Sequence, residues 1–240
     1  MRQTPKLPPH PILRTYYEDE TERKERVAEL FSVSATYYDR ITKVMSFGSG
    51  QWYRKQALLR AGCQAGDQLL DVGAGTGSIS LLAQDIVGKS GDVVALDPSF
   101  EMLRQARLAG VRKSVQGFGE ALPFPDQSFD VLTMGYALRH VSDIRSTFSE
   151  YYRVIKPGGK LTLLEISRPD TTIGKTILKA YMKGVVPNIA RFISRNADAK
   201  VLMRYYWDTI ESCVPPETII GALTHAHFTQ ARRHRIFGIF

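Results

Sequence analysis

From Gln68 onward, short apolar runs alternate with segments of helical spacing, and this alternation is the strongest signal in the chain. Apolar runs predict strands at Gln68–Val72, Asp92–Leu96, Lys113–Gln116, Phe129–Met134 and Lys160–Glu165. Between them, apolar positions three and four apart predict helices at about Ser78–Val87, Phe100–Leu108 and Ile144–Val154. Turn residues stand where strands should begin, at Gly88 to Gly91, Pro123 to Asp126 and Pro157-Gly158-Gly159. Strands alternating with helices imply a parallel sheet with helices on both faces and a ligand at the carboxyl ends of the strands.

The flanks of this core read differently. Met1 to Arg14 is rich in proline and predicts an extended, loosely held arm. Asp19 with Glu22 has the spacing of a capping box for a helix over about Glu22 to Tyr38, with Val27, Leu30 and Phe31 as its buried stripe. Ser46 to Gly50 breaks the pattern, and Trp52 to Ala61 resumes as a helix ending at Gly62. This helical preface precedes the first strand and is placed to cover the site. Arg168 to Val214 is helical by composition, and Phe228 to Phe240 reads as a strand pair closing the sheet.

The centre of the pattern is Gln68 to Leu81, Q-L-L-D-V-G-A-G-T-G-S-I-S-L: a strand, a glycine-rich turn and a helix start. Gly73, Gly75 and Gly77 supply the unusual backbone angles and the bare surface that a ligand needs. A turn of this kind also serves dinucleotides, but Ser78 stands where that pattern places its third glycine. Asp71, directly before the turn, would repel a pyrophosphate and attract a cation. S-adenosylmethionine carries an ammonium and a sulfonium, so the acid suits that cofactor and opposes a dinucleotide. Asp97 ends the second strand about 20 residues on, where an acid accepts from ribose hydroxyls. Phe100 and Met102 follow it, placed either to border the adenine or simply to pack the next helix.

Composition narrows the class without changing this reading. The 240 residues, 43% hydrophobic and 23% charged, suit one sizeable α/β domain. Cys63 and Cys213 are the only cysteines and lie far apart, which reads as reduced thiols in a cytoplasmic protein. No grouping of His, Cys, Asp and Glu has metal-ligand spacing, so no metal is expected. The net charge of +8 lacks a Lys/Arg block with interleaved aromatics, which disfavours nucleic acid. There is no signal-peptide core and no uncharged apolar run of roughly 18 residues.

Several stretches carry a more specific likeness. They are G-E-A-L-P-F-P-D-Q-S-F-D (Gly119 to Asp130), Y-Y-D-R-I-T-K-V-M-S-F-G (Tyr37 to Gly48), A-L-R-H-V-S-D (Ala137 to Asp143) and Y-R-V-I-K-P-G-G-K-L (Tyr152 to Leu161). With R-N-A-D (Arg195 to Asp198), they make the chain resemble class I S-adenosylmethionine-dependent methyltransferases from about Val27 to Phe240. Within that class it is similar to the ubiquinone/menaquinone biosynthesis C-methyltransferase family. The resemblance implies an α/β fold: a Rossmann-like, seven-stranded, mostly parallel sheet with an antiparallel last strand. N-terminal helices and a helical insert before the last two strands complete it. One domain would then comprise an arm (1–20), a helical cap (21–62), the cofactor-binding core (63–167), a helical insert (168–214) and a closing helix with strands (215–240).

The resemblance also implies a cofactor set. Thr76 and Asp97 with Pro98 fall on it, as do Phe118, Gly119 and Gly135, alongside Asp71, the turn glycines and Met102. Tyr38 matches a tyrosine that the family folds over the cofactor. Three departures stand out. Gly50-Gln51 replaces the usual His-Arg, His140 follows Leu138-Arg139 where Asn is usual, and the last strand stops short at Phe240.

The implied substrate is a prenylated quinol or phenol methylated at a ring carbon, with a soluble natural-product phenol or amine as the alternative. A non-catalytic cofactor-binding protein is a third reading, which the intact Asp71, Gly75, Thr76 and Asp97 oppose. Ring nucleophilicity requires a phenol of pKa about 10 to lose its proton. His140 is the direct candidate for a base. Arg139 matches an arginine thought to orient a water that takes the proton, and it could hold the phenolate by charge. Glu165 ranks below both. His225, His227 and His234 read as surface residues. In the insert, Ile173, Ile177, Leu178, Tyr181, Met182 and Val185 share one half of a helical wheel, and Lys175, Lys179 and Lys183 the other. Such a helix either meets an anionic membrane with its lysines or packs as a lid with those lysines solvated.

Overall fold

The computed structural model describes residues 5–195 and 197–235. Among them, β1 (Gln68–Val72), β2 (Asp92–Asp97), β3 (Lys113–Gln116), β4 (Phe129–Gly135) and β5 (Ile155–Leu164) form one sheet in the order β3-β2-β1-β4-β5. All the pairings are parallel. Leu69, Leu70 and Val72 are buried on both faces of the central strand, which is why it reads as a continuous apolar run and does not alternate. Chain order reverses between β1 and β4, so the crevice expected in such sheets opens at the carboxyl ends of these two strands.

The predicted core helices occur as α4 (Ser78–Val87), α5 (Phe100–Leu108) and α6 (Ile144–Val154). β5 begins earlier than predicted because Phe129 pairs with Ile155, before the register shifts and Val131 pairs with Lys160. Pro157-Gly158-Gly159 takes up the shift, with Gly158 at φ +80.

The sheet has five strands among the described residues, not the expected seven. Residues 228–235 are irregular, and the rest of the expected strand pair lies outside the described residues. The run from Thr229 to Arg235 is polar and cationic with no period of two, and it is tied down by side chains. Arg233 Nη2 donates to Ser167 at 2.9 Å, and Arg235 Nη2 donates to Asp170 at 3.0 Å.

The cap comprises α1 (Glu20–Ser34), α2 (Tyr38–Met45) and α3 (Gly50–Arg60). Asp19 caps α1, accepting from the amides of Thr21 and Glu22. Glu22 reaches back to the amide of Glu18 at 2.6 Å, one residue before the cap itself. The arm is not loose, as its proline content suggested. Leu7 N donates to Asp143 Oδ1 at 2.7 Å, Ile144 N to Leu7 O at 2.9 Å and Val214 N to Pro9 O at 2.8 Å. A proline-rich segment has few donors but keeps every carbonyl, and these carbonyls accept from the body of the protein.

The insert consists of α7 (Thr172–Ala180), a wider π-turn at Tyr181–Val185, α8 (Val186–Ser194) and α9 (Ala197–Ser212), and α10 (Pro216–His225) follows. Pro187 cannot donate to the carbonyl four residues back, and its ring crowds that carbonyl, so the backbone widens just before it. Two lysines of α7 and the π-turn are half exposed yet paired. Lys179 pairs with Glu211 at 2.6 Å and Lys183 with Asp208 at 3.0 Å, both acids on α9. Leu178 and Met182 pack inward, whereas Ile173 and Ile177 are exposed. The lysines thus stay on the outer side of the segment, and two of them are paired with acids of α9.

Candidate active site

β1 feeds straight into the glycine turn, whose three glycines sit at φ +67, +57 and +83. Two are also forced by contact. A Cβ on Gly73 would stand 2.5 Å from that of Ala137, and one on Gly77 would stand 2.5 Å from Val111. Around Gly75 nothing lies within 4 Å, so this is where a ligand can reach bare backbone. Gly135, at the end of β4, carries no side chain because Ile79 Cδ1 lies 2.4 Å from where its Cβ would be.

Asp71 and Asp97 are both buried. Asp71 lies beneath the turn, where Ser80 donates to one oxygen at 2.6 Å and Thr133 to the other at 3.0 Å. Burial pushes its carboxyl up to about 6, against the lowering effect of those bonds. Its negative field acts through the loop, since its oxygens are already engaged. Asp97 accepts from the amides of Gly75 and Ser99, each at 2.8 Å. Burial raises it too, to about 6. Each of its oxygens keeps a second lone pair, the capacity needed to accept from vicinal hydroxyls.

The cap reaches this turn. Thr76 Oγ1 donates to Asp39 Oδ1 of α2 at 2.5 Å, and Ser32 of α1 meets Ser99 at 3.0 Å. The covering role expected of the helical preface thus has definite contacts.

Beside the turn tyrosines and cations cluster. Tyr38 packs on Phe31 with ring centroids 6.0 Å apart, and burial together with neighbouring Tyr206 raises its hydroxyl well above the usual range. Tyr136, at φ +61, lies under the guanidinium of Arg54, 5.3 Å from the ring centroid. Arg139, on the short 3-10 turn Leu138–His140, is fully buried. Its Nη1 pairs with Glu165, its Nε donates to Thr209 at 3.3 Å, and its guanidinium lies 4.6 Å from the Tyr206 centroid. Burial opposes its charge and Glu165 more than offsets that, so it stays protonated. Its Nη2 has no hydrogen-bond acceptor among the described residues. Glu165 also accepts from Leu138 N at 2.9 Å, clamping the turn that carries the arginine.

His140 fits the role of base poorly. It lies between Phe31 and Tyr205, with ring centroids at 5.1 and 5.6 Å, and its Nδ1 is 3.2 Å from the Tyr205 hydroxyl. Burial, then Arg139, His10 and Arg23, hold its pKa well below the usual 6.5. It is neutral at pH 7 and a weak acceptor for a phenol proton.

Other predicted positions scatter. Met102 is buried under the start of α5, while Phe100 and Phe118 are about half exposed. Gly119 is wedged against Tyr151 and Val72, and the Pro98 carbonyl accepts from Gln116 at 2.9 Å. Asp39, Arg54, Tyr136 and Tyr206 join the site without having been singled out in the sequence. Gly50 explains one of them: a Cβ there would lie 2.7 Å from Arg54 Nη1, so its bareness gives Arg54 room to reach Tyr136.

Comparison with known proteins sets the class first. A solved S-adenosylmethionine-dependent methyltransferase of Thermotoga maritima superposes with a TM-score of 0.58, covering 84% of this chain and 81% of that one at 21% identity. It shares the fold. The chain also matches the ubiE/COQ5 methyltransferase family over residues 19–239 and belongs to it. It is therefore a methyltransferase, and S-adenosyl-L-methionine is its methyl donor. The ubiquinone/menaquinone biosynthesis C-methyltransferase UbiE of Marinomonas sp. is 31% identical, over 90% of this chain and 88% of the relative. That of Shewanella piezotolerans is 34% identical over 90% and 88%.

Proposed function

We propose that the protein methylates a ring carbon of a prenylated quinol, with the ring held among Tyr38, Tyr136 and Tyr206 against Arg139. The observation that carries this reading is the unpartnered Nη2 of a fully buried, permanently charged arginine beside the glycine turn. A buried guanidinium N–H without an acceptor is costly, and a phenolate oxygen would satisfy it.

The donor fits the turn. Gly75 leaves open space, Asp97 retains acceptor capacity, and Asp71 and Asp97 place negative charge beside a cationic ligand. When bound, the sulfonium supplies an electrophilic methyl group, so the hard chemistry is the cofactor's. The chain's own residues orient the ring, exclude water and hold the anion. Arg139 favours the phenolate form, which raises electron density on the adjacent ring carbon. Glu165 keeps the guanidinium in place. The tyrosines wall the ring with apolar faces, which strengthens the charge interaction.

The acceptor's polyprenyl tail would sit in a bilayer. Among the described residues no helix is long and apolar enough to cross a membrane, so the reading places the enzyme at the surface.

Arg139→Gln tests the proposal: kcat should fall by roughly a hundred- to a thousandfold with cofactor affinity unchanged. That variant leaves Glu165 buried without its partner, so the double variant Arg139→Gln/Glu165→Gln serves as the folding control. Unchanged kcat in a folded variant would remove the arginine from the chemistry. Mass spectrometry of a quinone extract incubated with enzyme and labelled cofactor identifies the acceptor.

A further inference from the structure

The outer face of the insert carries an unusual pairing of exposed apolar side chains and cations. Phe47, after α2, and Phe192, on α8, are each 87% exposed, and Ile173 and Ile177 of α7 are 74% and 65% exposed. Phe47 stacks on Tyr181 with centroids 6.2 Å apart, so the α2–α3 loop and α7 present one continuous surface. Phe192 belongs to a groove of about 1000 Å³ between α2 and α8, whose other lining residues include Arg40, Lys43, Arg191 and Arg195. Large apolar residues left this bare, with cations lining the groove around Phe192, are not a normal solvated surface.

From this arrangement we infer that the face formed by Phe47, Ile173, Ile177 and Phe192 docks on an anionic lipid surface, with the phenyl rings entering the acyl boundary and Arg40, Lys43, Arg191 and Arg195 meeting the headgroups. The occupant follows from charge complementarity. Apolar side chains at the centre with cations beside them match a bilayer of negative headgroups. Lys179 and Lys183 of the same helical segment take no part, because α9 holds them through Glu211 and Asp208. The inner side of that segment, at Leu178 and Met182, packs in the cluster that contains Tyr38 and Tyr206. The lipid face and that cluster are thus two sides of one helical layer, a short path for an acceptor drawn from the bilayer. In this respect the inference rests on the prenylated-quinol reading.

Co-sedimentation of the whole chain with phosphatidylglycerol-containing vesicles, without cofactor or acceptor, tests the surface. Binding is expected at low salt and should weaken at high salt, with little binding to phosphatidylcholine alone. Phe47→Ser/Phe192→Ser should lower partitioning roughly tenfold or more. Arg191→Gln/Arg195→Gln should lower it and flatten its salt dependence. Lys179→Gln/Lys183→Gln should bind as the unaltered chain does. Wild-type binding by the phenylalanine variant, or loss of binding in the lysine variant, overturns the inference. So does sedimentation velocity showing that the two phenylalanines hold a second copy of the chain instead. Methyl transfer to a short-chain, water-soluble quinol separates the two ideas. Transfer without vesicle binding removes only this surface, and vesicle binding without transfer to any quinol removes only the proposed acceptor.

Discussion

The sheet and its helical cover meet around the same site, yet they are built on different terms. In the sheet, the inner strands β1, β2 and β4 are buried by neighbours that the chain's own alternation implies, and β1 is apolar on both faces because both faces are covered. In the cover, a helix has several candidate partners, and the choice depends on which residues another helix presents. Leu178 and Met182 pack against α9, and Asp208 and Glu211 of that helix pair with Lys183 and Lys179, 25 and 32 residues earlier in the chain. The sheet therefore tolerates little change at its turn, and the cover should tolerate much.

The sharpest way to break that comparison is at the turn itself. Gly73→Ala meets both a left-handed backbone and Ala137, and should cost roughly 3 kcal/mol of stability together with cofactor binding. Gly75→Ala has space around it, so it should cost only about 1 kcal/mol while still losing the cofactor. Thermal melts paired with calorimetric titration separate the two. Equal stability losses would show that steric contact at Gly73 is relieved elsewhere.

Next comes the join between the regions. Asp39→Asn weakens the charge-assisted bond from Thr76 and should reduce cofactor affinity up to about tenfold, with stability changed by about 1 kcal/mol or less. An unaltered dissociation constant would mean that α2 covers the turn without helping to hold the ligand.

A pH series probes the sheet's own acids. Asp71 and Asp97 sit at about 6 because they are buried, above their ordinary 3.8. The folded state therefore takes up protons before the unfolded state does as pH falls. Their contribution to stability in the absence of ligand is fully present below about 4 and is lost as pH rises through 6. Cation binding runs the other way, since it needs the carboxylates, and affinity should drop about tenfold between pH 7 and 5 for each of the two that must be ionised. Titration at both pH values checks this, and a flat profile would show the two acids to be structural only.

The smallest effect belongs to the cover. Lys179 and Lys183 are about half exposed, so Lys183→Gln should shift stability by no more than about 0.5 kcal/mol in chemical denaturation.

What was legible in the sequence follows the same division. The core helices, and the core strands other than β5, match their expected bounds to within a residue because period and turn residues are local properties. Asp71 and Asp97 were picked out by position relative to the glycines, which is local too. Arg54, Tyr136 and Tyr206 come from α3, the loop after β4 and α9, and nothing in their own neighbourhoods marks them as converging. His140 was attractive by residue type, but its burial between Phe31 and Tyr205 makes it neutral. The seven-stranded expectation leaned on Phe228 to Phe240, where residues 228–235 carry tethered arginines and no strand.

The pinned arm also bears on how the molecule is assembled in time. Leu7 bonds to Asp143 and Ile144, residues more than 130 positions away, and Pro9 bonds to Val214. Loops this long close late, after the nearer contacts of sheet and helix exist. The arm is thus among the last segments to find its place. Asp143 lies three residues beyond His140, and His10 touches the backbone of Arg139, so the arm completes the turn that holds the buried arginine. A refolding chain should recover its sheet before its arm, and cofactor binding before methyl transfer.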